Sequence, residues 1–315
     1  MQLYVWRGDT TNFGDELNNW LMPRIFPGMF DQDESTLFLG IGSVIFDFHP
    51  RHSQKIVFGS GYAGYTQLPE FDETWRFYCV RGPRTARACN LSADAVAGDT
   101  ANLVSRHHVK LERPVKGVSF MPHYDSVDRG HWPMACELAG VRYIDPRAPV
   151  ETVLAAIQGS EAVIAEAMHG AIVADALRVP WIPVLPIHAS HRMKWRDWAE
   201  ALDIDLKPYG SWPSSTAEAW VAGRGGAGSG IGFTNARGLM KTCVQALDWA
   251  FIRLASARLS QLTRMAPMLS SDFAIARSVA RLEFHADEIK RDYADGRLTR
   301  SAPARAPAKA DLPAG

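Results

Sequence analysis

Short apolar runs alternate with longer segments of mixed polarity along residues 1–115 of the chain. Five of these runs have the length of buried strands: residues 3–6, 36–39, 55–58, 77–80 and 95–97. Strands that alternate with helical segments are typical of a largely parallel sheet covered by helices. The pattern therefore predicts an α/β unit.

A second series of the same kind occupies residues 116–221. Its predicted strands are residues 117–121, 142–144, 162–165 and 181–185. Between two of them, apolar residues from Val150 to Ile157 recur at the spacing of a helix. Two parallel sheets in tandem predict two Rossmann-like domains, residues 1–115 and 116–221, that face one cleft.

The chain changes character after residue 221. Residues 222–232 are rich in glycine, and because no strand leads into their GxGxxG-like pattern they are interpreted as a flexible loop, not a dinucleotide site. Residues 233–300 form two amphipathic helices separated near Pro267, expected to pack on the body or on each other, with a homo-oligomer contact as the alternative. Their apolar positions are Met240, Val244, Leu247, Phe251 and Leu254, then Ile275, Val279, Leu282, Ala286, Ile289 and Tyr293. Residues 301–315 are rich in Ala and Pro and are predicted to be a disordered tail.

Composition narrows the class of protein. Lys plus Arg equals Asp plus Glu, 34 each, so no global field recruits nucleic acid, which is not expected as a partner. No apolar run approaches the roughly 18 residues of a membrane span, so membrane contact would be peripheral. The four cysteines lack metal-type spacing and follow no secretory signal, which predicts reduced thiols in a cytoplasmic protein.

One histidine stands where a predicted strand gives way to a predicted helix. His169 and Gly170 follow the strand at 162–165. Unpaired backbone N–H groups and the helix dipole at such a junction favour an anionic ligand, and open α/β sheets bind ligands at this edge. A partly buried histidine satisfied by local hydrogen bonds explains the same pattern equally well.

Polar residues and glycines follow the strands of the first unit. Asn12, Asp15 and Asn18 flank Gly14 in the first βα turn and could bind sugar hydroxyls or a phosphate. A simple helix N-cap at Asn12 or Asp15 fits the same residues. The turns at 40–43 and 59–62, which contain Gly42 and Ser60, could line the cleft with backbone, although tight turns alone would also need glycine.

Four cations are candidates for holding an anion. Arg81 and Arg84 follow a predicted strand, and guanidinium groups bind carboxylate or phosphate in bidentate fashion. Arg192 and Lys194 lie in a segment rich in cations and tryptophan, where they could also point at an anion. Surface salt bridges, or a surface helix with its tryptophans packed inward, are the alternative interpretations.

His123 follows the first strand of the second series, in a position equivalent to that of His169. Both histidines could therefore face one cleft. A metal site would need a third ligand, and Asp125 is the only local one, so no metal is expected.

These motifs, in this order, resemble the polysaccharide pyruvyltransferase family, and within it the bacterial exopolysaccharide branch, such as the succinoglycan type. The resemblance covers residues 3–205. The motifs that carry it are residues 12–15, the two glycine turns, residues 81–85, Gly98-Asp99, residues 121–124 and Met168-His169-Gly170.

The resemblance implies a fold similar to that of the two-domain glycosyltransferases (GT-B-like). It also implies transfer of the enolpyruvyl unit of phosphoenolpyruvate to a sugar, giving a pyruvate ketal, with no cofactor beyond that co-substrate. On this basis His169 is expected to be the catalytic acid/base. The expected donor-binding residues are Arg81, Arg84, His123, Gly170, Arg192 and Lys194, and the expected acceptor-binding residues are Asn12, Asp15, Asn18, Gly42 and Ser60. Residues 116–221 would bind the donor and residues 1–115 the acceptor.

The chain departs from the family at one position. Family members commonly carry Arg-Leu-His-Gly where this sequence has Ala167-Met168-His169-Gly170. Another cation must then replace the arginine, with Arg81, Arg84, Arg192 and Lys194 as the candidates.

Known acceptors of the family are sugars on a polyprenyl diphosphate, which implies a lipid-linked oligosaccharide partner and a cytoplasmic protein at the inner face of the membrane. Residues 234–300 carry 11 Lys and Arg against 7 Asp and Glu, a net of +4 that could favour an anionic surface, although solvated helix faces explain it as well. Two other functions stay open: a sugar-nucleotide glycosyltransferase, and a non-catalytic assembly protein of exopolysaccharide synthesis.

Overall fold

Two parallel sheets form the centre of the protein. The computed structural model describes residues 1–8, 10–107, 117–226, 230–234 and 238–298. The strands are β1 (Gln2–Tyr4), β2 (Thr36–Leu39), β3 (Gln54–Ser60), β4 (Trp75–Val80), β5 (Val118–Met121), β6 (Arg142–Tyr143), β7 (Ala162–Ala165) and β8 (Trp181–Pro183). The first sheet has the order β1-β2-β3-β4 and the second the order β6-β5-β7-β8, and every pairing is parallel.

Helices cover the sheets and follow them in the chain. They are α1 (Phe13–Ile25), α2 (Pro83–Ala88), α3 (Tyr124–Arg129), α4 (Trp132–Ala139), α5 (Val150–Gln158), α6 (Met168–Ala176), α7 (Arg192–Ala201), α8 (Thr216–Gly223), α9 (Ile231–Thr234), α10 (Gly238–Leu262) and α11 (Asp272–Ala294). Short 3₁₀ segments lie at Ala93–Ala95, Thr100–Arg106 and Ala189–His191. The prediction of a mixed α/β fold with parallel sheets and C-terminal helices is confirmed.

The strand predicted at residues 95–97 is wrong. Ala93–Ala95 is a 3₁₀ turn, and Val96 makes a single bridge to Val80. Alanine and aspartate favour strands weakly, and Gly98, at φ +110, turns the chain away at once. The other predicted strands form with ends shifted by at most three residues.

Helix α1 shows how the sequence builds the first unit. The Asn12 side chain accepts a hydrogen bond from the Gly14 N–H and caps the helix, as the N-cap interpretation expected. Leu17 and Leu21 on its inner face are fully buried. Beyond the helix, Phe26 packs edge-on against Phe38 of β2 and Phe58 of β3, with centroids 5.2 and 5.5 Å apart.

Of the two long helices, one buries the predicted face and the other does not. In α11 the predicted positions from Ile275 to Ile289 are buried, as expected. In α10 the predicted stripe is wrong, because Met240, Leu247 and Leu254 are exposed. The helix instead packs on α4 through a neighbouring face, on which Ile252, Ala255, Leu259 and Leu262 recur at helical spacing. Its buried positions are Val244, Ile252, Ala255, Ser256, Leu259 and Leu262.

Helix α11 returns the end of the described chain to the first sheet. It packs against β3, β4 and the 3₁₀ segment Thr100–Arg106. Its Ser278 donates to the Ala97 carbonyl at 2.6 Å, and Asp292 accepts from Arg76 and Tyr78 of β4. Along the chain, the second unit therefore lies between two segments that both pack in the first unit.

Several other expectations concern the surface. Residues 222–223 belong to α8 and residues 231–232 to α9, while 227–229 and the predicted tail at 301–315 lie outside the described residues. The four cysteines are unpaired thiols, and only Cys243 is exposed. Among the described helices, none is long and apolar enough to cross a bilayer.

Candidate active site

The carboxyl ends of strands from both sheets meet around one histidine. His169 is the second residue of α6, directly after β7. Its Nε2 lies 3.8 Å from Oδ2 of Asp99, which caps the 3₁₀ segment Thr100–Arg106 in the first unit. Neither atom has a hydrogen-bond partner among the described residues, and the Asp99 side chain is fully buried. The two groups are free to take or give a proton.

Burial sets the protonation of this pair. Burial, with Lys194 and Arg81 nearby, lowers the pKa of His169 to about 3, so the imidazole is neutral at pH 7. Burial raises the pKa of Asp99 to about 6 even though Arg81 opposes the shift. A neutral imidazole beside a carboxylate can accept a proton and have the resulting cation stabilised.

The low pKa of His169 makes a prediction about acid stability. Between about pH 6.5 and pH 3 the unfolded chain protonates this residue while the folded protein does not, so stability falls as pH falls, by about 1.4 kcal/mol per pH unit. Glutamine cannot titrate, so His169→Gln should show a shallower loss of unfolding free energy between pH 6.5 and pH 5 in urea titrations. Equal slopes for the two proteins would contradict the assignment.

Gly14 lets the imidazole lie against helix α1. A methyl group built on Gly14 would overlap Nδ1 of His169. The first βα turn of the first sheet and the first turn of α6 therefore touch at this point. The glycine is required by this close approach and not by its backbone conformation, because its φ lies outside the left-handed region.

Gly14→Ala should displace the imidazole. We expect a loss of about 1–3 kcal/mol in unfolding free energy from the overlap, together with reduced turnover, because His169 must shift. Gly28→Ala is not a suitable control since Gly28 has φ +75; Gly210, where an added methyl meets nothing within 4 Å, is the matched position. Gly14→Ala with the stability and turnover of Gly210→Ala would refute the contact.

Arg81 offers one unpartnered donor. The residue directly follows β4 and is fully buried. Its Nε donates to Oδ2 of Asp197 at 3.0 Å and its Nη1 to Ser43 Oγ at 2.8 Å. Its Nη2 has no partner among the described residues. A buried cation with a free N–H is suited to binding an anionic ligand.

Lys194 is a second cation with free donor capacity. It lies on α7, and among the described residues no hydrogen bond or ion pair holds its ammonium group. Burial and Arg81 lower its pKa to about 8, although Asp15, Asp125 and Asp99 act in the opposite direction. Its charge lowers the pKa of His169 and opposes the rise in the pKa of Asp15, so it acts on residues of both units.

The other two candidate cations are engaged elsewhere. The guanidinium of Arg84 donates to both carboxylate oxygens of Glu200 through Nε at 3.0 Å, and through Nη2 at 2.6 Å. Arg192 is exposed, and its Nη2 lies 3.4 Å from the Pro186 carbonyl. The structure brings Arg81 and Lys194, but not the Arg84 guanidinium, to the His169 cleft.

The candidate acceptor residues separate into two groups. Asp15 accepts from Asn12 Nδ2 at 2.9 Å, and burial raises its pKa to about 6 against the influence of Lys194. These two side chains lie at the cleft. Asn18 is fully buried, and its amide bonds both the N–H and the carbonyl of Ile41. Asn18 therefore holds the turn after β2, and its amide faces the protein interior.

Gly42 and Ser60 fix the turns at the ends of β2 and β3. The Gly42 carbonyl accepts from Ser60 Oγ at 3.1 Å and from the Gly61 N–H at 2.9 Å. Gly42 has φ +117, which an L side chain rarely adopts. Gly61 leaves room for the Arg81 guanidinium, which an added methyl would overlap. The turns that these residues form therefore pack against the Arg81 guanidinium.

In the second unit, Glu166 joins the ends of β5 and β7. Its carboxylate accepts from the His123 N–H at 2.8 Å and from Ser126 Oγ at 3.2 Å. His123 is buried, and burial lowers its pKa to about 4. Gly170 allows α6 to approach Met121, whose sulfur an added methyl would meet at 2.7 Å.

Sequence reasoning did not assign a role to several residues of the site. Asp99 follows Gly98 at the end of the predicted strand at 95–97, and this position at a strand end could have indicated a site residue. Asp197, Glu166 and Tyr65 carried no usable signal, because their partners are distant in the chain. His191 lay in the cation-rich segment but was not connected with His123.

Two comparisons with known proteins found matches. The family model described as polysaccharide pyruvyl transferase matches residues 12–187, which include Asp99, His123 and His169 and end before Lys194. The succinoglycan biosynthesis protein ExoV of Rhizobium meliloti (strain 1021) is 34% identical over 316 residues, which cover 93% of this chain and 100% of that protein. No solved structure matches.

Proposed function

The chain belongs to the polysaccharide pyruvyl transferase family, and from this premise we propose that it transfers the enolpyruvyl unit of phosphoenolpyruvate to a sugar of an exopolysaccharide precursor, forming a pyruvate ketal. The observation that carries the proposal is the cleft around His169. It combines a neutral imidazole facing a buried carboxylate with Arg81, whose Nη2 has no partner among the described residues, and with the buried ammonium group of Lys194. A small donor that bears a carboxylate and a phosphate suits this arrangement.

Arg81 and Lys194 would hold the donor. The free Nη2 of Arg81 is fixed in direction by the two bonds that its other nitrogens make, so it supplies a preorganised N–H. Lys194 supplies charge from the opposite unit and takes the place of the arginine that relatives carry where this chain has Ala167. The helix N-terminus at Met168 adds unpaired N–H groups on the same side.

His169 would move the protons. As the first sugar hydroxyl bonds to C2 of the donor, the neutral imidazole passes the hydroxyl proton to C3 in the same step, so the electrons of the C2–C3 double bond form the new C–H bond and C3 becomes the methyl group. Asp99 stabilises the positive charge on the imidazole during this transfer. The second hydroxyl then bonds to C2 as the C–O bond to phosphate breaks, and its proton leaves with the phosphate. Both acceptor protons are thereby accounted for.

The two sheets would act as the two halves of a GT-B-like arrangement. The acceptor would enter beside Asn12 and Asp15 of the first unit, and the donor would lie against α6 and α7 of the second. Support comes from Asp99 and His169, one from each unit, which lie 3.8 Å apart. A lipid-linked acceptor would bring the protein to a membrane surface during turnover.

Incubation with phosphoenolpyruvate and a galactoside or glucoside acceptor, synthetic or lipid-linked, tests the proposal. We expect acceptor-dependent phosphate release and a product heavier by one pyruvylidene group. A thermal shift with phosphoenolpyruvate, but not with nucleotide sugars, should accompany it. Stabilisation by a nucleotide sugar alone would instead indicate a glycosyltransferase, and no response to either would indicate a non-catalytic relative.

Lys194→Met should weaken donor binding. A lost charge-assisted hydrogen bond costs about 1.5–3 kcal/mol, so the KM for phosphoenolpyruvate should rise roughly 10- to 150-fold. Lys194→Arg retains the charge and should recover part of the affinity. Lys207→Met, at an exposed lysine paired with Asp205, is the control. An unchanged KM in Lys194→Met would remove this residue from the donor site.

A further inference from the structure

A cluster of two imidazoles and one carboxylate lies beside the cleft. Asp125 Oδ2 is 3.3 Å from His123 Nδ1 and 3.9 Å from His191 Nε2. One ligand atom from each of the three side chains lies within 4.8 Å of the others, and in the described part of the chain no other group of three such ligands occurs. We propose that His123, Asp125 and His191 form a binding site for a divalent first-row transition ion of the zinc type.

The chain brings these ligands together from two separate segments. His123 and Asp125 flank the start of α3 after β5, and His191 ends the 3₁₀ segment after β8. The sequence-based expectation of no metal rested on Asp125 being the only further ligand close to His123 in the chain, and the fold brings in His191 from 68 positions further on. Asp125 raises the pKa of Lys194, so the cluster lies within electrostatic range of this proposed donor-binding residue.

The distances suit a small ion after minor adjustment. Ligand atoms at about 2.0–2.1 Å from a tetrahedral zinc ion are separated by about 3.3 Å. The Asp125–His123 pair already has this spacing, and the Asp125–His191 pair is slightly wider. The two histidine ligand atoms lie within 4.8 Å of each other, so binding an ion would draw them closer by up to about 1.5 Å.

An outer contact holds the His191 imidazole in a ligating orientation, whereas Nδ1 of His123 accepts the Asp125 N–H at 3.4 Å, a long bond that an ion would replace. Tyr65 Oη lies 2.8 Å from Nδ1 of His191, which leaves Nε2 to face Asp125. The His123 backbone is fixed by Glu166, and its ring stacks on that of His191 with centroids 4.6 Å apart. Metal-ligating histidines are commonly held through the second ring nitrogen in this way.

Ligand chemistry and exposure indicate the class of ion. Two imidazoles and a carboxylate suit zinc and neighbouring transition ions, whereas calcium and magnesium prefer all-oxygen sets. The side chains of His123, Asp125 and His191 are 8, 27 and 16% exposed, so an ion can reach them and keep positions open for water or an anion. The proposal does not depend on the pyruvyl transfer reaction.

Metal binding to the chelator-treated full chain tests the site without an activity assay. Co²⁺ is titrated while its visible ligand-field absorption is recorded, and Zn²⁺ is added as competitor and measured separately by calorimetry. A Cys243→Ser background removes the exposed thiol as a rival ligand. We expect one equivalent to bind with the absorption of a low-symmetry, four- or five-coordinate site.

Variants locate the ion. His191→Ala and Asp125→Asn should weaken Zn²⁺ binding at least tenfold, and Tyr65→Phe should weaken it about 10- to 100-fold through loss of the outer hydrogen bond. His131→Ala, which disrupts a His–Asp pair of the same 3.3 Å spacing at Asp248, should bind like the parent. If a variant fails to fold by circular dichroism, the remaining two decide the question. Absence of binding to the parent, or equal binding by the folded site variants, would overturn the proposal.

Discussion

Replacing His169 with glutamine is expected to lower kcat for pyruvyl transfer by about 10²- to 10⁴-fold, the usual contribution of a general acid/base. Glutamine keeps the size and polarity of the side chain but cannot carry the proton from the sugar hydroxyl to the donor. The KM for phosphoenolpyruvate should change much less, because Arg81 and Lys194 remain. Phosphate release under saturating donor and acceptor measures the effect.

Asp99→Asn provides an independent check on the same step. The amide retains the shape but cannot stabilise an imidazolium, so kcat should also fall, and the double variant should lose little more than His169→Gln alone because the two residues act as a unit. His131→Gln is the matched control, since this exposed histidine pairs with Asp248 and not with the cleft. Full turnover by a folded His169→Gln protein would refute the assignment.

Asp197→Ala should destabilise the fold by about 3–5 kcal/mol. The carboxylate is fully buried and accepts from Arg81 Nε at 3.0 Å, from Thr85 Oγ1 at 2.7 Å, and from the N–H groups of Arg84 and Thr85 at 2.9 Å. Its removal leaves the guanidinium of Arg81 buried without a counter-charge, which is the costly case. Urea unfolding followed by tryptophan fluorescence measures the loss.

Glu200, one turn further along α7, provides the contrast. It also binds an arginine, but the Arg84–Glu200 pair is about one-third exposed on each side. Such a pair contributes about 0–1 kcal/mol, so Glu200→Ala should leave the midpoint of unfolding nearly unchanged. Similar losses for the two variants would show that burial does not govern the strength of these pairs.

The fold was largely predictable because periodicity is a local property. Strands at 36–39 and 162–165 appear with the predicted bounds, since each is a continuous apolar run between turn residues. The failures are also local in origin. Residues 95–97 make only one bridge before Gly98 turns the chain, and α10 carries two apolar patterns at helical spacing, of which packing on α4 selects the one that includes Ile252 and Leu259.

The site was predictable only where its residues follow strands. His169, Arg81 and His123 could be selected because parallel strands end at one edge of a sheet. Asp197, Tyr65 and His191 could not, because their significance comes from partners more than 60 positions away. Asn18 shows what a turn motif does not reveal: its amide bonds the backbone of Asp15 and Ile41.

The return of α11 to the first sheet also constrains how the protein is made. Ser278 bonds to Ala97 and Asn102, which lie 181 and 176 residues earlier in the chain. During synthesis the first sheet leaves the ribosome before the second unit. The apolar surface that Val279, Leu282 and Ala286 later cover stays exposed until the entire second unit has been synthesised. Because it is synthesised before the second unit and α11, the first unit is exposed to aggregation for longer than they are.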